Sequence, residues 1–101
     1  MRYVSTRGEA APLGFSDVLL GGLAPDGGLY LPETWPMLDR SAVAEPDTAE
    51  NPLTYEAVAT EVMAPFVTPD IGRDELAQLV AAAYATFDAP EVTPLTDLGN
   101  D

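Results

Sequence analysis

Two short stretches of this chain carry residue types suited to binding chemistry. Ser5-Thr6-Arg7-Gly8 sets a guanidinium beside two hydroxyls, a combination that can hold a phosphate or a carboxylate. The same arginine could instead pair with one of the seventeen acids in the chain, an ordinary surface arrangement of small energetic weight. The second stretch, Gly21 to Pro32, reads GGLAPDGGLYLP and is the densest cluster of glycine and proline. Glycine loops that cradle phosphates carry either the spaced triple glycine of dinucleotide folds or a following lysine. Neither is present here. Turn chemistry explains the run better. Ala24-Pro25-Asp26-Gly27 suits a type I turn with Pro25 fixing φ at the second position, and Gly27 or Gly28 can take positive φ at the join to the next strand.

The absent residue types narrow the chemistry further. Without histidine the chain lacks the commonest general base and metal ligand; without cysteine it has no disulfide or thiolate site. It also has no lysine, so it can form no internal Schiff base. A carboxylate pair could do acid/base work, but among seventeen acids no pair stands out. Asp97-Leu98-Gly99-Asn100-Asp101 offers oxygen ligands without the spacing of a calcium loop. The sequence therefore nominates no catalytic, cofactor-binding or metal-binding residue. Ser5, Thr6 and Arg7 are its only candidates for a ligand-facing cluster.

These residues must be positioned by a small domain. A chain of 101 residues that is 47% apolar can build one modest core. Its net charge of −13 argues against nucleic acid and anionic membrane surfaces as partners. No apolar run of signal or membrane-spanning length follows Met1-Arg2-Tyr3-Val4, so a cytoplasmic location is expected.

The elements read as follows. Arg2 to Ser5 is β-prone and predicts a strand, and Leu29-Tyr30-Leu31, closed by Pro32, predicts a second. Phe15, Val18, Leu19 and Leu23 fall at helical spacing, with Ser16 as the N-cap and Gly21-Gly22 as the stop. From Glu33 to about residue 53 lies a weakly structured connection with one helical turn near Trp35 to Leu38. Tyr55, Val58, Ala59, Val62, Met63 and Phe66 then form an amphipathic stripe after the cap Thr54, with Pro65 ending or kinking the helix near Ala64. Leu76, Leu79, Val80, Ala83, Tyr84 and Phe87 repeat the pattern after Gly72, with Asp74 and Glu75 favoured by the helix dipole. The aromatics on these stripes are expected in the core; Trp35 either caps the core or faces a partner. The expected fold is α+β: a small single domain over 1–101 with three helices and a short two-stranded antiparallel hairpin.

Taken together, these runs resemble a known family. Tyr3-Val4-Ser5-Thr6-Arg7-Gly8, then Phe15-Ser16, then Gly22-Leu23-Ala24-Pro25-Asp26-Gly27-Gly28-Leu29-Tyr30-Leu31-Pro32 resemble the amino-terminal segment of threonine synthases. Ala83-Tyr84-x-x-Phe87 with Val92-x-Pro94-Leu95 is similar to the end of that segment, so the likeness covers nearly the whole chain. The resemblance implies a pyridoxal 5'-phosphate enzyme of the tryptophan-synthase-like fold type that converts O-phospho-L-homoserine and water to L-threonine and phosphate. In that family the cofactor lysine lies in a segment resembling HGPTxxFKD, which this chain lacks. The implied role is a non-catalytic amino-terminal domain, inactive alone, whose partner is the catalytic body of the same protein. Ser5, Thr6 and Arg7 would line the substrate side, with Arg7 meeting a substrate phosphate or carboxylate or else packing the domain. Two other roles fit the same residues: the amino-terminal domain of a threonine synthase-like phospholyase, and a free-standing acidic interaction module.

Overall fold

The computed structural model describes residues 1–41 and 53–99. Three strands and three helices are assigned among them, in the order β1 (Arg2–Ser5), β2 (Leu13–Gly14), α1 (Phe15–Gly21), β3 (Tyr30–Pro32), α2 (Tyr55–Val67) and α3 (Arg73–Tyr84). The α+β class is as the sequence implies, but the sheet has a third strand. β1 lies at the centre, antiparallel to both neighbours, in the order β2-β1-β3. The expected two-stranded pairing is the β1–β3 pair, with Val4 opposite Leu31 and Ser5 opposite Tyr30. The connection between them carries α1, as expected, and also β2, which the sequence reading does not include. On the other edge Arg2 faces Gly14 and Tyr3 faces Leu13. Alternation along β1 turns Tyr3 and Ser5 inward, and both are buried.

The helix ends follow local chemistry in most places. Thr54 caps α2 by accepting from the Ala57 amide at 3.1 Å. Gly22, at φ +73°, terminates α1 as expected, and Gly72 stands at the N-cap of α3. Pro65 does not end α2, which continues to Val67. Lying within the last turn, it removes only one intrahelical donor. Thr68 then closes the end, donating its amide and its hydroxyl to the Ala64 carbonyl at 3.1 and 2.7 Å.

Ser16 is not the N-cap of α1. That position belongs to Gly14, which has no side chain to offer. Asp70, beyond the end of α2, fills the role from across the fold by accepting from the Ser16 amide at 2.7 Å. This bond lowers the Asp70 pKa below the usual aspartate range. No helical turn forms at Trp35 to Leu38, where the backbone has no regular structure; only Arg40 and Ser41, at the edge of the described residues, are helical. The rest of the expected weak connection, 42–52, lies outside the described residues.

The core sits between α2 and α3. Ala64, Val67, Leu76 and Val80 are buried there, with Phe15, Ala59, Met63, Ile71 and Tyr84 packed against them. Tyr3 fastens the sheet to this layer. Its ring lies 6.3 Å from that of Phe15, and its hydroxyl donates to the Phe66 carbonyl at 2.7 Å. That carbonyl belongs to the last turn of α2, where intrahelical donors run out. The expected stripe on α2 is only partly inward: the buried residues are Thr60, Ala64 and Val67, while Tyr55 and Val62 are exposed. α2 is apolar around most of its circumference, so the periodic pattern alone fits more than one face. Trp35 is exposed, with its ring edge-on to Phe66 at 6.2 Å.

Candidate functional site

The two motifs singled out in the sequence meet at one carboxylate. β1 ends at Ser5, and the chain turns back at once, with the Gly8 amide donating to the Ser5 carbonyl at 3.0 Å and Gly8 at φ +77°. The Pro25-Asp26 turn closes as expected: the Gly27 amide donates to the Ala24 carbonyl at 2.9 Å, and Gly27 takes φ +81°. Between these two turns, the Asp26 carboxylate accepts the Ser5 hydroxyl, at 2.7 and 2.8 Å to its two oxygens. It also accepts the amides of Gly28 at 2.9 Å, Glu9 at 3.1 Å and Ala10 at 3.0 Å. The Ser5 hydroxyl, then the Gly28 amide, hold the Asp26 pKa below the usual aspartate range. A carboxylate so stabilised in its charged form is a poor general base. Its work here is to tie the loop after β1 to the turn before β3.

The three candidate residues take different parts in this clasp. Ser5 is buried, its hydroxyl directed to Asp26 and accepting the Arg7 amide at 3.2 Å. Thr6 pairs twice with Leu29, the residue before β3: its amide donates to the Leu29 carbonyl at 2.8 Å, and its hydroxyl accepts the Leu29 amide at 3.0 Å. Arg7 is exposed and donates one Nη1 hydrogen to the Asp26 carbonyl at 2.9 Å. Its guanidinium lies close over Gly27, where a Cβ would come within 2.8 Å of Nη1. Gly28 is packed tighter still, since a Cβ there would stand 2.3 Å from Ser5 Oγ.

Arg7 also departs from the simple surface pairing that its acidic surroundings suggest. Among the described residues, ion pairs join Arg2 to Glu33 and Arg73 to Glu61, and none involves Arg7. Among the described residues one of its five donors is used, on the Asp26 backbone carbonyl, which fixes one arm of the fork beside the clasp. Asp26 was visible in sequence only as a turn residue. The available signal was an acid in a glycine-rich turn, with a serine on a nearby β-prone segment able to donate to it. Among the described residues no group of three or more acids is placed to hold a metal ion.

The family described as threonine synthase N terminus matches residues 2–84. The chain belongs to this family. The clasp of Ser5, Asp26 and Gly28 lies within the matched residues. Threonine synthase of Corynebacterium glutamicum is 43% identical over 101 residues, covering 97% of this chain and 21% of the relative. Threonine synthase-like 2 of Pongo abelii is 41% identical, covering 99% of this chain and 20% of that protein. The crystal structure of pyridoxal-phosphate-bound threonine synthase from Brucella melitensis superposes with a TM-score of 0.80 at 42% identity, over 96% of this chain and 20% of that one. The chain thus spans about one fifth of the length of these relatives.

Proposed function

We propose that this chain is the amino-terminal domain of a cytoplasmic threonine synthase, acting with the catalytic body of that enzyme to convert O-phospho-L-homoserine and water to L-threonine and phosphate. The observation that carries this reading is the family match over residues 2–84, joined to 42% identity with a pyridoxal-phosphate-bound synthase. Pyridoxal phosphate, held through a lysine elsewhere in the enzyme, would supply the electron sink for the reaction. The residues present here do not fit that attachment, because the chain has no lysine. Alone, it is expected to release no phosphate and to leave the cofactor's absorbance unchanged.

The part assigned to this domain is anion recognition at the substrate side. In this reading Ser5 and Thr6 spend their hydroxyls on holding the loop, and Arg7 offers its fork to the phosphate or carboxylate of the substrate. The test is a chimera in which residues 1–101 replace the matching segment of the Corynebacterium glutamicum enzyme, assayed for phosphate release from O-phospho-L-homoserine. Arg7→Ala should lower kcat/KM by about 10- to 100-fold, the loss expected when a charged hydrogen bond is removed. Arg7→Lys should recover part of it, and the melting temperature should stay within about 2 °C, as for a surface substitution. A lower melting temperature with unchanged KM would give Arg7 a packing role instead.

A second reading rests on the 41% identity to threonine synthase-like 2. Under it, the parent enzyme is a phospholyase acting on a related phosphorylated substrate. Comparing phosphate release from several phosphorylated amino acids by the full parent enzyme separates the two.

A further inference from the structure

The strongest unassigned surface is an apolar groove between α2 and α3. It measures about 300 Å³ and is lined by Tyr55, Val58, Ala59, Val62, Met63 and Tyr84. Among the described residues no charged side chain lines it, although the chain carries a net charge of −13. Its floor is five of the six residues of the amphipathic stripe on α2, a spacing that serves burial on one helical face. Yet the residues of α2 that this fold buries are others, Thr60, Ala64 and Val67. Ala59 and Met63 also touch the core, so the stripe is covered along one side and left open at Tyr55 and Val62. Aromatics border the open side: Tyr55 meets Tyr84 edge-on at 5.2 Å, and Tyr84 meets Phe87 edge-on at 5.6 Å. Phe87 remains half exposed.

We propose that this groove is the seat for an uncharged, apolar segment of the catalytic body of the same enzyme. The inference rests on the reading of the chain as a synthase domain. Two observations choose this occupant over others. Relatives are about five times the length of this chain, so most of their polypeptide lies outside the matched region and can supply the cover. A second copy would bring −13 against −13, and a basic partner would find no acid among the described residues of the groove wall. An aromatic-rimmed, charge-free groove is the composition found at the dry centre of interfaces.

The test uses the full-length chimera described above. This chain has no cysteine of its own, so Val62→Cys and Gln78→Cys each report one position, with labelling by a maleimide read peptide by peptide. Val62 lines the groove and is 37% exposed in this structure, and Gln78 lies on the exposed side of α3. The expected result is labelling at least tenfold slower at Val62→Cys than at Gln78→Cys, independent of protein concentration. Val58→Cys, on the same wall, should behave alike and serves if the first variant is poorly folded. Equal rates at both positions overturn the proposal, whatever the activity. Protection that fades on dilution also overturns it, in favour of a second copy. Protection without phosphate release leaves the docking assignment standing and removes the synthase activity; release without protection does the reverse.

Discussion

Replacing Gly28 with alanine tests the clasp at its tightest point. The new methyl carbon would stand 2.3 Å from Ser5 Oγ and 3.0 Å from both Asp26 Oδ1 and Thr6 Oγ1. A free serine could rotate aside, but this one is held by bonds of 2.7 and 2.8 Å to Asp26. Making room therefore means giving up the Ser5–Asp26 contact or shifting the backbone of the turn. Overpacking of this kind costs about 2 kcal/mol. For a domain of this size that corresponds to a melting temperature lower by roughly 8–16 °C. Gly27→Ala should cost less, about 1 kcal/mol, because it meets a φ of +81° but only the movable end of Arg7. Thermal unfolding followed by circular dichroism ranks the two. The sharper control is the Ser5→Ala/Gly28→Ala double variant, which removes the clashing oxygen. The cost of Gly28→Ala should be smaller in the Ser5→Ala background than in the parent, by about 1 kcal/mol of coupling. If that cost were the same in both backgrounds, or if Gly28→Ala were no worse than Gly27→Ala, Ser5 would not be what limits space at Gly28.

Two further predictions concern titration. Asp26 and Asp70 have folded pKa values below the unfolded aspartate value of about 3.9, because donated hydrogen bonds favour their charged forms. On acidification the unfolded chain takes up protons first, so their contribution is full above about pH 4 and is lost as pH falls through the folded values. Urea midpoints at pH 7 and pH 3 should therefore lie closer together in Asp26→Asn than in the parent; an unchanged gap would count against the clasp. At the other extreme, burial raises the Tyr3 pKa, so above about pH 10 the unfolded chain loses its proton first and stability falls. Tyr3→Phe should cost about 1 kcal/mol at pH 7 for the lost bond to the Phe66 carbonyl, yet flatten that alkaline decline in a urea titration.

What the sequence disclosed was what neighbouring residues decide. Thr54 caps α2 three residues along the chain, Gly22 supplies the positive φ that stops α1, and Pro25 starts a turn whose bond closes within four residues. What it concealed depends on distant partners. β2 is two residues long, too short to show a period, and exists because Tyr3 and Arg2 pair with it. Ser16 looked like a cap by type, but the donor it exposes is met by a carboxylate 54 positions later. The candidate site shows the same division. Its two motifs were legible as separate runs, while their meeting at Asp26 follows from the β1–β3 register, which places Ser5 opposite Tyr30 and brings the two loops to the same end of the sheet.

The Asp70–Ser16 bond bears on how the domain holds together as it forms. α1 has seven residues, too few to persist in water on its own nucleus. Its first turn is completed only when the segment between α2 and α3 is in place. Tyr3 in turn reaches the end of α2, so the sheet, the short helix and the helical pair each hold a terminus of another. Such cross-holding ties the stability of each part to that of the others. A shortened chain that stopped before residue 70 would not be a smaller version of this fold but a collection of parts without their fastenings.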